Sequence, residues 1–95
     1  MPEVSFRVRW PDQTQMLCYS PSSTIKDAFV IGRPYELGDF VQRSRAALEH
    51  ASARVAQKFG YSCGHAQMQI REIEMKAAQF DPASELNVVV EAFLE

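Results

Sequence analysis

The longest stretch with one regular hydrophobic period is LGDFVQRSRAALEHASARVAQKFG, from Leu37 to Gly60. At about 100° per residue, Leu37, Phe40, Val41, Ser44, Leu48, Ala51, Val55 and Phe59 fall within one arc about 100° wide, which predicts a helix with a single buried face. Asp39 near its start and Arg54 and Lys58 near its end complement the helix dipole, and Gly60 supplies a residue that accepts the left-handed conformation and stops the helix.

Ahead of this helix the period is two. Val4, Phe6, Val8 and Trp10 alternate with Ser5, Arg7 and Arg9, the pattern of a half-buried strand. Pro11-Asp12 supplies a turn, and a second β-prone run, Thr14 to Ser20, completes a hairpin. Residues 21–36 are punctuated by Pro21, Gly32 and Pro34 and read as an ordered covering segment with at most a short turn. Such a length needs anchors, so Ile25, Phe29, Val30 and Tyr35 are expected to pack onto the body.

A second helix is predicted from an N-cap at Ser62 to about Phe80, with Ala66, Ile70, Ile73, Ala77 and Phe80 on one face. The short break at Gly60-Tyr61 makes the two helices an antiparallel pair. Asp81-Pro82 ends the second helix, and Leu86 to Leu94 forms an apolar last strand. The expected fold is α+β: a three-stranded β-sheet with the antiparallel helix pair on one face, in the order ββααβ. Periodicity leaves open whether the last strand lies beside the first or the second.

Composition narrows the function classes. A chain of 95 residues with 46% hydrophobic content fits a single domain. Ten basic against twelve acidic residues, a net charge of −2, argue against nucleic acid or an anionic membrane as partner. MPEVSFRVRW lacks the pattern of a secretory leader, and no apolar run approaches the ~20 residues that span a bilayer, so a cytoplasmic protein is expected. Cys18 and Cys63 are too few for a disulfide framework and are expected as free thiols.

Candidate chemistry is sparse. Cys63 opens the second helix with His65 two residues on, but positions i and i+2 do not face each other, so a buried structural thiol is the reading. Cys18, Cys63, His50 and His65 come from four separate places without ligand spacing, so neither metal nor cofactor is expected. Ser20, Ser22 and Ser23 read as turn formers and caps.

Surfaces carry more. Arg43, His50, Arg54 and Lys58 form a positive stripe beside the apolar arc of the long helix, a candidate site for an anion or an acidic partner. On the second helix Met68, Arg71, Met75 and Ala78 recur opposite the apolar face, and methionines are over-used at contact surfaces. By strict alternation, Leu17, Tyr19, Val89 and Phe93 share the outer sheet face with Arg7, Arg9 and Glu91. That face is too apolar to stand free in water. Together with Met68 and Met75 it predicts a homo-oligomer, a two-fold dimer, with the sheet face as first choice because it carries two aromatics and one glutamate.

Three segments, FRVRWPD from Phe6, CYSPS from Cys18 and DFVQRSRAALEHASARVAQKFGYSC from Asp39, resemble a family of small bacterial proteins named for a nitrogen-starvation response. Genes of that family accompany a nitrilase and other enzymes in a cluster linked to nitrogen scavenging, so the resemblance implies a cytosolic accessory role in nitrogen metabolism. It brings no catalytic residues with it. Within DFVQRSR, Arg43 and Arg45 fall about 160° apart on a helix and do not form one binding face.

Two functional readings follow. The first is a non-catalytic accessory or interaction protein, a dimer that binds an enzyme of the same gene cluster. The alternative is a small enzyme or metabolite-binding protein with a pocket between residues 21–36 and the sheet, drawing on Tyr19, Tyr35, Cys18 or the helix arginines.

Overall fold

The computed structural model describes residues 3–59, 64–81 and 85–94. Strands β1 (Val4–Arg9) and β2 (Gln15–Ser20) form the predicted hairpin, with Phe6 opposite Cys18 and Val8 opposite Met16. The amide of Gln13 donates to the carbonyl of Trp10 (2.9 Å), and that of Trp10 to the carbonyl of Thr14 (2.9 Å). Pro11 fits the turn because its fixed φ presets the second position, and Gln13 closes it in the left-handed region (φ 70°).

Asp12 locks the same turn: its carboxylate accepts from the hydroxyl of Thr14 (2.6 Å), the amide of Thr14 (3.1 Å) and the ammonium of Lys76 (3.1 Å). The Thr14 hydroxyl, with the amide and Lys76 behind it, lowers the Asp12 pKa from 3.8 to about 2. A depressed carboxylate stabilises the fold above its unfolded value and loses that contribution as pH falls through the folded value. Asp12→Asn is therefore expected to flatten the fall in melting temperature between pH 3.8 and about 2. Parallel melting curves of wild type and variant through that window would refute the assignment.

The sheet departs from expectation by gaining a strand. Pro34–Glu36, within the covering segment, forms β3 and pairs antiparallel with the last strand, β4 (Asn87–Leu94), giving four strands in the order β2-β1-β4-β3. Three residues are too few to show an alternation, and the leading proline, which lacks an N–H, fits an edge. The last strand lies beside the first, which settles the order that periodicity left open. Gly32, at φ 82°, reaches back to donate its amide to the carbonyl of Val90 (3.0 Å). That left-handed position favours glycine.

Before β3, a 3-10 turn covers Ser23–Asp27, capped by the Ser22 hydroxyl, which accepts from the amide of Thr24 (3.3 Å). Ile25, Phe29 and Tyr35 are buried as expected, whereas Val30 turns outward and is exposed. Its amide still serves the fold, donating to the Tyr35 hydroxyl (2.8 Å).

Helices α1 (Leu37–Phe59) and α2 (Gly64–Ala77) pack on the inner face of the sheet. α1 lies against the 3-10 turn, β3 and β4, and α2 against β2. The buried positions of α1 include Leu37, Phe40, Ser44, Leu48, Ala51 and Val55, six of the eight in the predicted arc, with Val41 partly buried. The side chain of Phe59 lies outside the described residues, as do Gly60, Ser62 and Cys63. An ion pair between Arg45 of α1 and Glu74 of α2 (3.1 Å) joins the early half of one helix to the late half of the other, as an antiparallel pair requires. After Ala77 the chain tightens: the amide of Phe80 donates to the carbonyl of Ala77 (3.1 Å). Phe80 stacks on Trp10 (6.2 Å), and Trp10 meets Phe40 edge-on (5.4 Å).

Candidate interaction surfaces

Register decides what the outer sheet face carries. Val8 pairs with Val90 and Arg7 with Ala92, so Glu91 is the extra residue of a β-bulge. Alternation reverses there. Phe93, expected on the outer face, stands opposite the fully buried Phe6 and packs against the core. In exchange Leu94, opposite Ser5, is 45% exposed. Strict alternation could not reveal this, because a bulge is a property of two paired strands.

The bulge also explains Glu91. Its carboxylate meets Arg9 (2.7 Å) and Arg7 (3.4 Å) and accepts from the side-chain amide of Gln15 (2.7 Å). On an otherwise open face it retains only 17% exposure. Two guanidiniums share one carboxylate, so the knot keeps an excess positive charge. Around it lie Leu17, 60% exposed opposite Arg7, then Tyr19 and Val89, both half-buried, and Leu94.

On α2 the predicted stripe is free: Met68 and Met75 are each 65% exposed, with Arg71 and Glu72 exposed between them. It joins the sheet face at the β2 edge, where Tyr19, His65, Met68, Gln69 and Glu72 line a hollow of about 220 Å3. The His65 ring meets Tyr19 edge-on (5.6 Å). Gln69, which the periodicity of α2 does not single out, is buried, and its carbonyl oxygen accepts from the backbone amide of Tyr19 (2.9 Å). A helix side chain thus occupies a donor on an edge strand, where unpaired backbone groups invite another chain. A glutamine on the flank of an apolar helix face is the only trace of this in the sequence.

The positive stripe of α1 is only partly assembled. Arg43 is bound to Asp39 (2.8 Å), which raises its pKa, and lies over the Tyr35 ring (5.3 Å). With His50, Thr24, Asp27 and Ala28 it lines a shallow hollow of about 340 Å3. Arg54 is exposed and does not line it, and the side chain of Lys58 lies outside the described residues. Arg45, on another side of the helix, is held by Glu49 (3.0 Å) and Glu74.

Of the segment 21–36 that the metabolite-binding alternative places over the sheet, Ile25, Phe29 and Tyr35 are buried in the core. A hollow of about 440 Å3 lies elsewhere, between the start of α1 and the end of α2, lined by residues that include Leu37, Val41 and Phe80. Burial, reinforced by the charge of Glu72, pushes the Cys18 thiol up to about 12, so it is inert as a nucleophile at neutral pH. Among the described residues no three His, Cys, Asp or Glu side chains gather to hold a metal ion, and no helix is long and apolar enough to cross a membrane.

The family model described as nitrogen starvation-induced protein NitG matches residues 5–93. The chain belongs to that family. The match runs from the second residue of β1 to the penultimate residue of β4, so it includes both helices and at least part of every strand. No curated protein and no solved structure matches the chain.

Proposed function

We propose that the protein is a non-catalytic accessory protein of a bacterial nitrogen-scavenging pathway. It works in the cytoplasm by binding an enzyme encoded beside it in a nitrilase-containing gene cluster. Membership of a nitrogen starvation-induced family supports the setting. The observation that carries the mode of action is the outer sheet face, where Leu17 and Leu94 stand exposed around the Arg7–Glu91–Arg9 knot and no described element covers them. An apolar rim around excess positive charge fits a partner surface that is apolar and bears a carboxylate. Leu17→Glu changes an exposed side chain and should leave the fold intact. Affinity capture with the purified enzymes of the cluster, the nitrilase first, is expected to retain one of them on wild type and lose it on Leu17→Glu. Failure of wild type to retain any of them would overturn the reading.

A further inference from the structure

Strand β2 ends the sheet, so one side of its main chain meets no other strand. The amide of Trp10 donates to the carbonyl of Thr14 opposite it (2.9 Å), and Met16, Cys18 and Ser20, at every second residue from there, turn their main-chain groups to β1. Gln15, Leu17 and Tyr19 turn theirs outward, in keeping with the bond from the Tyr19 amide to Gln69 of α2 (2.9 Å). Among the described residues nothing takes up the amides and carbonyls of Gln15 and Leu17.

The edge is uneven in charge. On β1, Arg9 stands opposite Gln15 and Arg7 opposite Leu17, whereas the uncharged Ser5 stands opposite Tyr19. Two carboxylates gather at the Tyr19 end instead. Glu3 accepts from the Tyr19 hydroxyl (3.3 Å), and Glu72 lines the hollow of about 220 Å3 together with Tyr19, His65, Met68 and Gln69. Neither carboxylate enters an ion pair among the described residues. Arg71, the residue before Glu72, lines a different hollow with Arg45 and Glu74.

We infer that β2 receives an extended segment of another protein as a fifth strand, with an apolar side chain beside Leu17 and a basic side chain over the hollow at Tyr19. In such strand addition the main chain supplies affinity and the pockets beside it supply selectivity. An antiparallel segment exchanges amide and carbonyl with Leu17 and again with Gln15. Leu17, 60% exposed, gains a cross-strand neighbour. Pairing stops at Tyr19, because Gln69 already holds that amide. The side chain two residues beyond the one paired with Leu17 lies ~7 Å further along and reaches the hollow. There Met68 offers apolar surface to an aliphatic stem, and the unpaired charge of Glu72 selects a cation at its end. A second copy of β2, with the sequence QMLCYS, brings no basic side chain to this place.

The probe is an acetylated and amidated hexapeptide that starts with lysine and continues as threonine and valine in alternation. It is titrated to millimolar concentration into isotope-labelled protein and read by nuclear magnetic resonance. The amide resonances of Gln15 and Leu17 are expected to shift and saturate. Methylation of both valine nitrogens, which face β2, should abolish the shifts, whereas methylation of the two threonine nitrogens flanking the first valine, which point away, should leave them. Exchange of the lysine for glutamate should weaken binding several-fold. Glu72→Gln, a change at an exposed position, should weaken the lysine peptide roughly two- to fivefold. Unmoved Gln15 and Leu17 resonances, a valine-methylated peptide that binds as tightly as its parent, or a glutamate peptide that matches the lysine peptide would overturn the inference. So would a Leu17 amide that becomes protected from hydrogen exchange as the protein alone is concentrated, which would assign the edge to a second copy. No enzyme of the gene cluster enters the titration, so this inference and the capture experiment fail separately.

Discussion

Leu48→Asp is expected to leave the protein unfolded at room temperature. Leu48 is fully buried on the inner face of α1, within the cluster that also contains Phe6, Phe40 and Ile73. The substitution removes a leucine side chain, a loss of roughly 2–5 kcal/mol by itself, and places a carboxyl where nothing compensates it, at a further cost of several kcal/mol. A domain of this size has only ~5–15 kcal/mol in total. Leu48→Ala, which lacks the polar term, should remain folded but melt lower, by about 4–8 °C for each kcal/mol lost. Circular dichroism would decide: a Leu48→Asp protein with native ellipticity and an unchanged melting temperature would refute the buried-face assignment of α1.

Trp10→Ala is the second large effect, an expected loss of about 3–5 kcal/mol. Trp10 follows the last residue of β1 and joins three parts of the fold, since its ring meets Phe40 of α1 and stacks on Phe80 beyond the end of α2. Its indole nitrogen, however, is buried without a hydrogen-bond partner among the described residues. A buried donor left unpaired costs about 1–3 kcal/mol, so Trp10→Phe keeps an aromatic ring in place while removing the unsatisfied group. The expected order of stability is wild type close to Trp10→Phe, with Trp10→Ala far below. Urea unfolding followed by circular dichroism tests the order; equal losses in the two variants would mean that the stacking contributes little.

Both predictions rest on elements that were legible in the sequence, and for the same physical reason. The stripe of α1 is a local pattern: residues three and four apart share a face whatever the helix packs against, so Leu48 is assigned to the core before any partner is known. Trp10 continues the alternation of β1, and its neighbour Pro11 fixes the turn. Half of the expected sheet-face contact was also legible, since Leu17 and Tyr19 lie on the outer side of β2 as predicted. The other half was not. Phe93 and Val89 have the spacing of one strand face, but the bulge between them separates their directions, and the groups that hold Glu91 lie on β1 and β2, far away in sequence.

The sequence by itself determined the α+β class with two helices, the β1–β2 hairpin with its proline turn, the buried arc of α1 and the two-faced character of α2. Each of these depends on interactions within a few residues, or on a period that one segment displays alone. Only the tertiary structure decided the place of β4 beside β1, the recruitment of Pro34–Glu36 as an edge strand, the inward turn of Phe93 and the capture of the Tyr19 amide by Gln69. All four are pairings between segments distant along the chain. A backbone hydrogen bond across such a distance leaves no pattern in either segment, because main-chain donors and acceptors are the same at nearly every residue and only their meeting in space selects which are joined.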